Sequence, residues 1–219
     1  MLRSKFEKEL SKLRADLNKM CHLVTLAIED CVIAFKTQDK ELAKEIIEQD
    51  KIINDIERTI EARCLSLILK QQPIATDLRN VSTALKIVTD LERIGDQSAD
   101  IAEILIDLHG DSMYRMVEHI PNMASVAKRM VKDSIDVFNE GDLEKAEEVK
   151  KMDDALDKYF EIVKGEVSEI IKEASENTDL GIDFLMIAKY FERIGDHAVN
   201  ICEWAEFNQT GSLNDHRLL

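Results

Sequence analysis

Glu92 and Asp96 stand four residues apart in the run Glu92-Arg93-Ile94-Gly95-Asp96, and Glu192 and Asp196 stand four apart in an identical run 100 residues later. On a helix, residues at that spacing lie one above the other, so each run stacks a Glu carboxylate on an Asp carboxylate. Two anions so placed repel each other by a few tenths of a kcal/mol in an isolated helix. Writing that repulsion into both copies points to something positive between them. The recurrence, with Ile101 and Glu103 matched by Ile201 and Glu203, also marks the chain as a duplication, so a site in one half implies a site in the other. Gly95 and Gly195 each cost about 1 kcal/mol relative to Ala inside a helix, and close approach of a neighbouring helix is the simplest compensation.

The elements that must hold these carboxylates are helices. Two prolines and seven glycines in 219 residues leave little room for the turns of a β protein. Apolar residues recur at helical spacing almost throughout. The first helix reads Phe6, Leu10, Leu13, Leu17, Met20, Val24, Ile28, Cys31, Phe35, a stripe about 45 Å long. Thr37-Gln38-Asp39 breaks it, with Asp39 a candidate N-cap for a second helix through Ile46, Ile53, Ile60 and Leu67 that stops before Pro73. A third runs from Leu78 to Leu108, and His109-Gly110-Asp111 separates the halves. Pro121 opens a fourth, Gly141 caps its end and Asp142 starts a fifth. Asn177-Thr178-Asp179 begins a sixth, ending near Phe207. The second and fifth helices align at an offset of 103, pairing Asp39 with Asp142 and Asp50 with Asp153. The chain is therefore read as all-α: one antiparallel three-helix repeat over 1–110, a second over 111–207, and a polar tail, 208–219, that frays.

Reflecting each hairpin about its turn identifies what faces the motifs. Facing residues have numbers adding to about 146 in the first half and about 349 in the second. Asp50 then stands opposite Asp96 and Asn54 opposite Glu92; Asp153 stands opposite Asp196 and Asp157 opposite Glu192. Four oxygen-bearing side chains from two helices suit a hard cation such as Mg²⁺, Mn²⁺ or iron better than zinc. The competing reading is that these acids are merely solvated. Asn54 makes the first set poorer in charge, so the second is the stronger candidate. Asp100, Glu103, Asn200 and Glu203 extend the same face as secondary candidates. Arg93 and Arg193 are expected to pair with Asp96 and Asp196 at i, i+3, and His197 to serve structure rather than bind a ligand.

A formal charge of −15 disfavours nucleic acid and anionic lipid as partners and favours cations or basic surfaces. No apolar run approaches the roughly 20 residues that span a bilayer, and the start of the chain reads as amphipathic rather than as a signal peptide, so a cytoplasmic protein without membrane insertion is expected. Cys21, Cys31, Cys64 and Cys202 fall at apolar helical positions with no CxxC pair, the pattern of buried reduced thiols.

Gln71-Gln72-Pro73-Ile74-Ala75-Thr76-Asp77-Leu78-Arg79, Asp90-Leu91-Glu92-Arg93-Ile94-Gly95-Asp96 and Tyr190-Phe191-Glu192-Arg193-Ile194-Gly195-Asp196-His197 together resemble the PhoU family over nearly the whole chain. The resemblance implies two pseudo-twofold-related antiparallel three-helix bundles, each like a spectrin repeat. It implies multinuclear metal clusters, iron foremost with Mn, Mg or Zn as alternatives, held by Asp153, Asp157, Glu192 and Asp196 in one half and Asp50, Asn54, Glu92 and Asp96 in the other. It further implies a cytoplasmic, non-enzymatic negative regulator, self-associating as a homodimer, that links the phosphate ABC transporter to a phosphate-sensing histidine kinase. Two readings compete with it: a metal-dependent phosphate-ester hydrolase, since adjacent metals can activate water, and a metal-storing structural bundle.

Overall fold

The computed structural model describes residues 2–71, 73, 76–108, 117–213 and 216–217, with the side chains of 2–4, 71, 216 and 217 left aside. Among the described residues six α-helices carry the chain: α1 (Leu2–Thr37), α2 (Lys40–Gln71), α3 (Thr76–Asp107), α4 (Ile120–Glu140), α5 (Leu143–Glu173) and α6 (Thr178–Thr210), with a 3-10 turn, Ser175–Asn177, before α6. The turn between the first two helices of each repeat is built on the same plan. Asp39 Oδ1 accepts the Glu41 and Leu42 amides, each at 3.0 Å, and Asp142 Oδ1 accepts those of Glu144 and Lys145 at 3.0 and 3.1 Å, satisfying amides that a helix start leaves without partners. The left-handed position that ends the preceding helix is Gln38 (φ 55°) in one repeat and Gly141 (φ 73°) in the other. Only glycine takes that conformation without steric cost.

Within the first repeat α1 packs on α2 and α3, and within the second α4 packs on α5 and α6. The repeats meet along α3 and α6, with α1 also against α4. The result is a layer α2–α3–α6–α5 backed on one side by α1 and α4. A single core runs through both repeats. The α1 stripe supplies Leu13, Leu17, Met20, Val24, Ile28, Cys31 and Phe35, all 3% exposed or less. Phe35 crosses the repeat boundary to meet Phe184 of α6 edge to face, ring centres 5.9 Å apart. All four cysteines are buried and free. Burial pushes the thiols of Cys21, Cys64 and Cys202 up to about 12, so none is a reactive thiolate.

Polar contacts fix the α3–α6 seam. Asn208 Nδ2 donates to Asn80 Oδ1 at 3.2 Å. Asp90, only 9% exposed, holds His197 Nδ1 at 2.9 Å and the Asn200 amide at 3.2 Å. These pairs set the two helices antiparallel. His197 thus has the structural role expected of it.

Two expectations change. The helix expected to end near Phe207 runs on to Thr210, because Asn208 is held in the seam and Gly211 (φ 76°) provides the cap, its amide donating to Phe207 O at 2.8 Å. The expected fraying tail instead turns back, Ser212–Leu213 (β1) pairing antiparallel with His216–Arg217 (β2). The His109-Gly110-Asp111 junction lies outside the described residues. Among the described residues no helix is long and apolar enough to cross a membrane.

Candidate functional site

In each hairpin an Asp of the facing helix comes up against the motif glycine. A β-carbon built on Gly95 would lie 3.0 Å from Asp50 Oδ1, and one on Gly195 would lie 3.1 Å from Asp153 Oδ1. The missing side chain at each glycine is what lets an Asp from the facing helix lean over the motif. The charges register this proximity. Burial first, then repulsion by Asp196 and Asp157, pushes the Asp153 carboxyl up to about 6. Asp50 is raised by burial and then by Asp96, Glu92 by burial and then by Asp96, and Asp196 by burial and then by Glu192. By the antiparallel α3–α6 register, Glu92 lies level with Asp196 and Asp96 with Glu192. The two acidic sets sit at one height, on either side of the seam, on the face that α1 and α4 leave bare.

Gly195 is the tighter of the two approaches. Its built β-carbon would also come 2.3 Å from Leu156 Cδ2, whereas that of Gly95 meets nothing closer than 3.0 Å. Leu156 is fully buried, so Gly195→Ala forces a packed side chain to move, at about 1–3 kcal/mol. This outweighs the roughly 1 kcal/mol of helix propensity gained. Chemical denaturation should find Gly195→Ala destabilised and Gly95→Ala close to neutral; equal effects would show that the two helix approaches are not different.

Residues 17–105 and 120–205 each match the family model described as the PhoU domain. The chain belongs to the PhoU family. It is 41% identical to the phosphate-specific transport system accessory protein PhoU homolog of Clostridium acetobutylicum, over 98% of this chain and 100% of that one. Crystal structures of PhoU from Pseudomonas aeruginosa (32% identity, TM-score 0.86, 94% of this chain and 100% of that one) and of the phosphate transport system regulatory protein PhoU from Streptococcus pneumoniae (29%, 0.85, 96% and 99%) share the fold. Each of the two matched PhoU segments contains one Glu-Arg-Ile-Gly-Asp run.

Whether these residues suit a cation can be judged from their unused oxygens. Asp50 Oδ1, Asn54 Oδ1 and Asp153 Oδ1 are buried and lack a hydrogen-bond partner. Such atoms are costly to desolvate and are ready-made ligands for a hard ion. Asn54 spends its amide nitrogen on Asp50 Oδ2 at 2.8 Å, which leaves its oxygen the free donor. The donor chemistry fits. Among the described residues, however, no three His, Cys, Asp or Glu side chains are drawn together tightly enough to hold an ion as they stand. Closure requires carboxylates that now repel one another to swing inward.

The secondary candidates go elsewhere. Asn200 bonds to Asp90, and Asp100 faces Tyr190 across the seam, its carboxyl raised first by burial and then by Glu103 and Asp96. Glu103 is exposed, and Glu203 is half-buried and adds negative charge near Cys202. Arg93 makes the expected pair with Asp96 at 3.1 Å and also reaches Glu92 at 3.5 Å; among the described residues Arg193 has no such pair with Asp196.

Two neighbours of the sites escape motif reading. Glu57 adds a carboxylate beside Glu92 and Asp96, and repels both. Lys189 places its ammonium on Glu192. The same offsets that align the motifs pair Glu57 with Phe160 and Thr89 with Lys189, so the signal was present in the repeat alignment. The first set is thus less poor in charge than Asn54 alone suggests.

Proposed function

We propose that this chain is a cytoplasmic, non-enzymatic regulator of phosphate uptake. It docks on the phosphate ABC transporter and on a phosphate-sensing histidine kinase and restrains the phosphate-starvation response. The observation that carries this reading is the pairing of two acidic sites at one height on a single face of a family member whose relatives are named as transport accessory proteins. The two helices that form the seam are net negative: α3 and α6 carry only Arg79, Lys86, Arg93, Lys189 and Arg193 against seven acids in α3 and six in α6. Asp50, Asn54, Glu92 and Asp96 on one side, and Asp153, Asp157, Glu192 and Asp196 on the other, would hold iron, Mn²⁺ or Mg²⁺, and a bound ion would supply positive charge that neutralises the face. These residues set which surface a partner meets: with the carboxylates bare the face repels acidic partners, and with them neutralised it accepts them.

The reactive side chains nearby support a regulatory reading over a hydrolytic one. His197 is turned away to Asp90, and Lys189 is engaged by Glu192, so neither stands free as an acid or base over the carboxylates. Surface plasmon resonance against the transporter's ATPase subunit and the kinase's cytoplasmic part tests the proposal. Binding is expected to weaken with chelator and with Asp153→Ala combined with Asp196→Ala. Binding unchanged in both arms would overturn it.

A further inference from the structure

Each acidic set carries a tethered cation, and the two sets recruit it from different positions. In the first, Arg93 spans Glu92 and Asp96 from within the motif. In the second, among the described residues the equivalent Arg193 makes no ion pair with Glu192 or Asp196, and the ion pair on Glu192 comes from elsewhere. The vacancy is filled by Lys189, three residues before Glu192. Its Nζ pairs with the Glu192 carboxylate and lies 5.4 Å from the centre of the Phe160 ring on the facing helix α5. Phe160 is opposite Lys189 by the same reflection that sets Asp157 opposite Glu192. A carboxylate on one side and a ring face on the other together hold a primary ammonium. Glu192 is the more buried partner, its side chain 15% exposed against 45% for Lys189. The half-exposed lysine therefore reaches a more buried carboxylate from the rim.

We propose that Lys189 is a built-in counter-ion of the second acidic site, which an incoming divalent cation must displace, and that it thereby sets the metal concentration at which that site fills. This inference rests on the metal reading of the acidic sites. A monovalent ammonium partly neutralises the four carboxylates when no metal is present, and its four-carbon stem lets it swing to solvent when a doubly charged ion takes Glu192. The first site has no such ammonium, because Thr89 and Glu57 stand where Lys189 and Phe160 stand in the second; Arg93 serves there.

Titration of the full chain with Mn²⁺, followed by calorimetry and by loss of the free-ion electron paramagnetic resonance signal, tests the proposal with Lys189→Met, Lys189→Arg and Arg93→Gln. Lys189→Met should tighten one class of site about twofold to fivefold, as removal of a partly exposed competing ion pair implies, and leave the other class unchanged. Arg93→Gln should do the reverse, and Lys189→Arg should stay near wild type. Without metal, Lys189→Met should melt below wild type, and saturating Mn²⁺ should abolish the difference. Wild-type affinity in Lys189→Met, with Mn²⁺ binding intact, would overturn this inference alone. Failure of Mn²⁺ to bind wild type and variants alike would overturn the metal reading and this inference with it.

Discussion

Phe184→Ala will destabilise the fold by about 3–5 kcal/mol, the range for deleting a buried aromatic ring. The ring is fully buried and meets Phe35 of α1 edge to face. Because that contact joins the first helix of one repeat to the last helix of the other, the loss should appear as one cooperative transition at lower denaturant, not as early melting of the second repeat alone. Urea unfolding followed by circular dichroism and by Trp204 fluorescence provides two probes. Coincident curves shifted together are the expected result; separated curves would show that the repeats unfold independently. Phe35→Ala should produce a similar shift, and the double variant less than the sum, since the two rings share one contact.

The second large effect, expected from the proposed metal sites, is stabilisation by metal and its dependence on pH. A cation at about 100 times its dissociation constant stabilises the folded state by about 2.7 kcal/mol, so Mn²⁺ at pH 7.5 should raise the melting temperature by several degrees. Protons oppose this. The Asp153 carboxyl is held above its usual range, at about 6, so the folded chain binds that proton more tightly than the unfolded chain does. Its ionisation therefore costs stability: the penalty is fully present above about pH 6 and is relieved as pH falls toward the ordinary carboxylate value near 4. Metal-free protein should gain stability from Asp153 between pH 7.5 and 5, while the stabilisation by Mn²⁺ shrinks as protons compete for the same oxygens. Asp153→Asn should flatten both trends. Calorimetric melts across this range check the sign, and a wild type that neither gains from Mn²⁺ at pH 7.5 nor differs from Asp153→Asn in its pH profile would refute it.

What the sequence discloses depends on whether a contact is local or distant. Asp39 and Asp142 announce helix starts because a cap acts within four residues. The opposition of Asp50 to Asp96, and of Asp153 to Asp196, follows from a hairpin with a short turn, where counting outward is enough. The α3–α6 seam could not be counted in this way. Its register is set by Asp90, His197 and Asn200, side chains more than a hundred positions apart with no turn between them to measure from, and a buried Asp among surface acids has no distinguishing period. Lys189 and Phe160 were countable, but a lysine on an acidic chain looks like solvent exposure until its ammonium is seen on Glu192. The end of α6 is not legible in the sequence because a helix end is chosen by what its last residues touch, and Asn208 touches Asn80.

The seam has a consequence for how the duplication can be taken apart. Its two ends are related by the internal repeat, yet at one end Asp90 receives His197 and Asn200, and at the other Tyr190 stands against Asp100. If two copies of the first half paired in place of one of each, Asp90 would face Gln97 and Asp100, an anion against an anion in a buried groove. Two copies of the second half would set Tyr190 against His197 and Asn200 and lose the buried carboxylate that organises them. The halves have become complementary rather than interchangeable. Split and co-expressed, they should find each other and reject themselves, as a lock and key cut from one template.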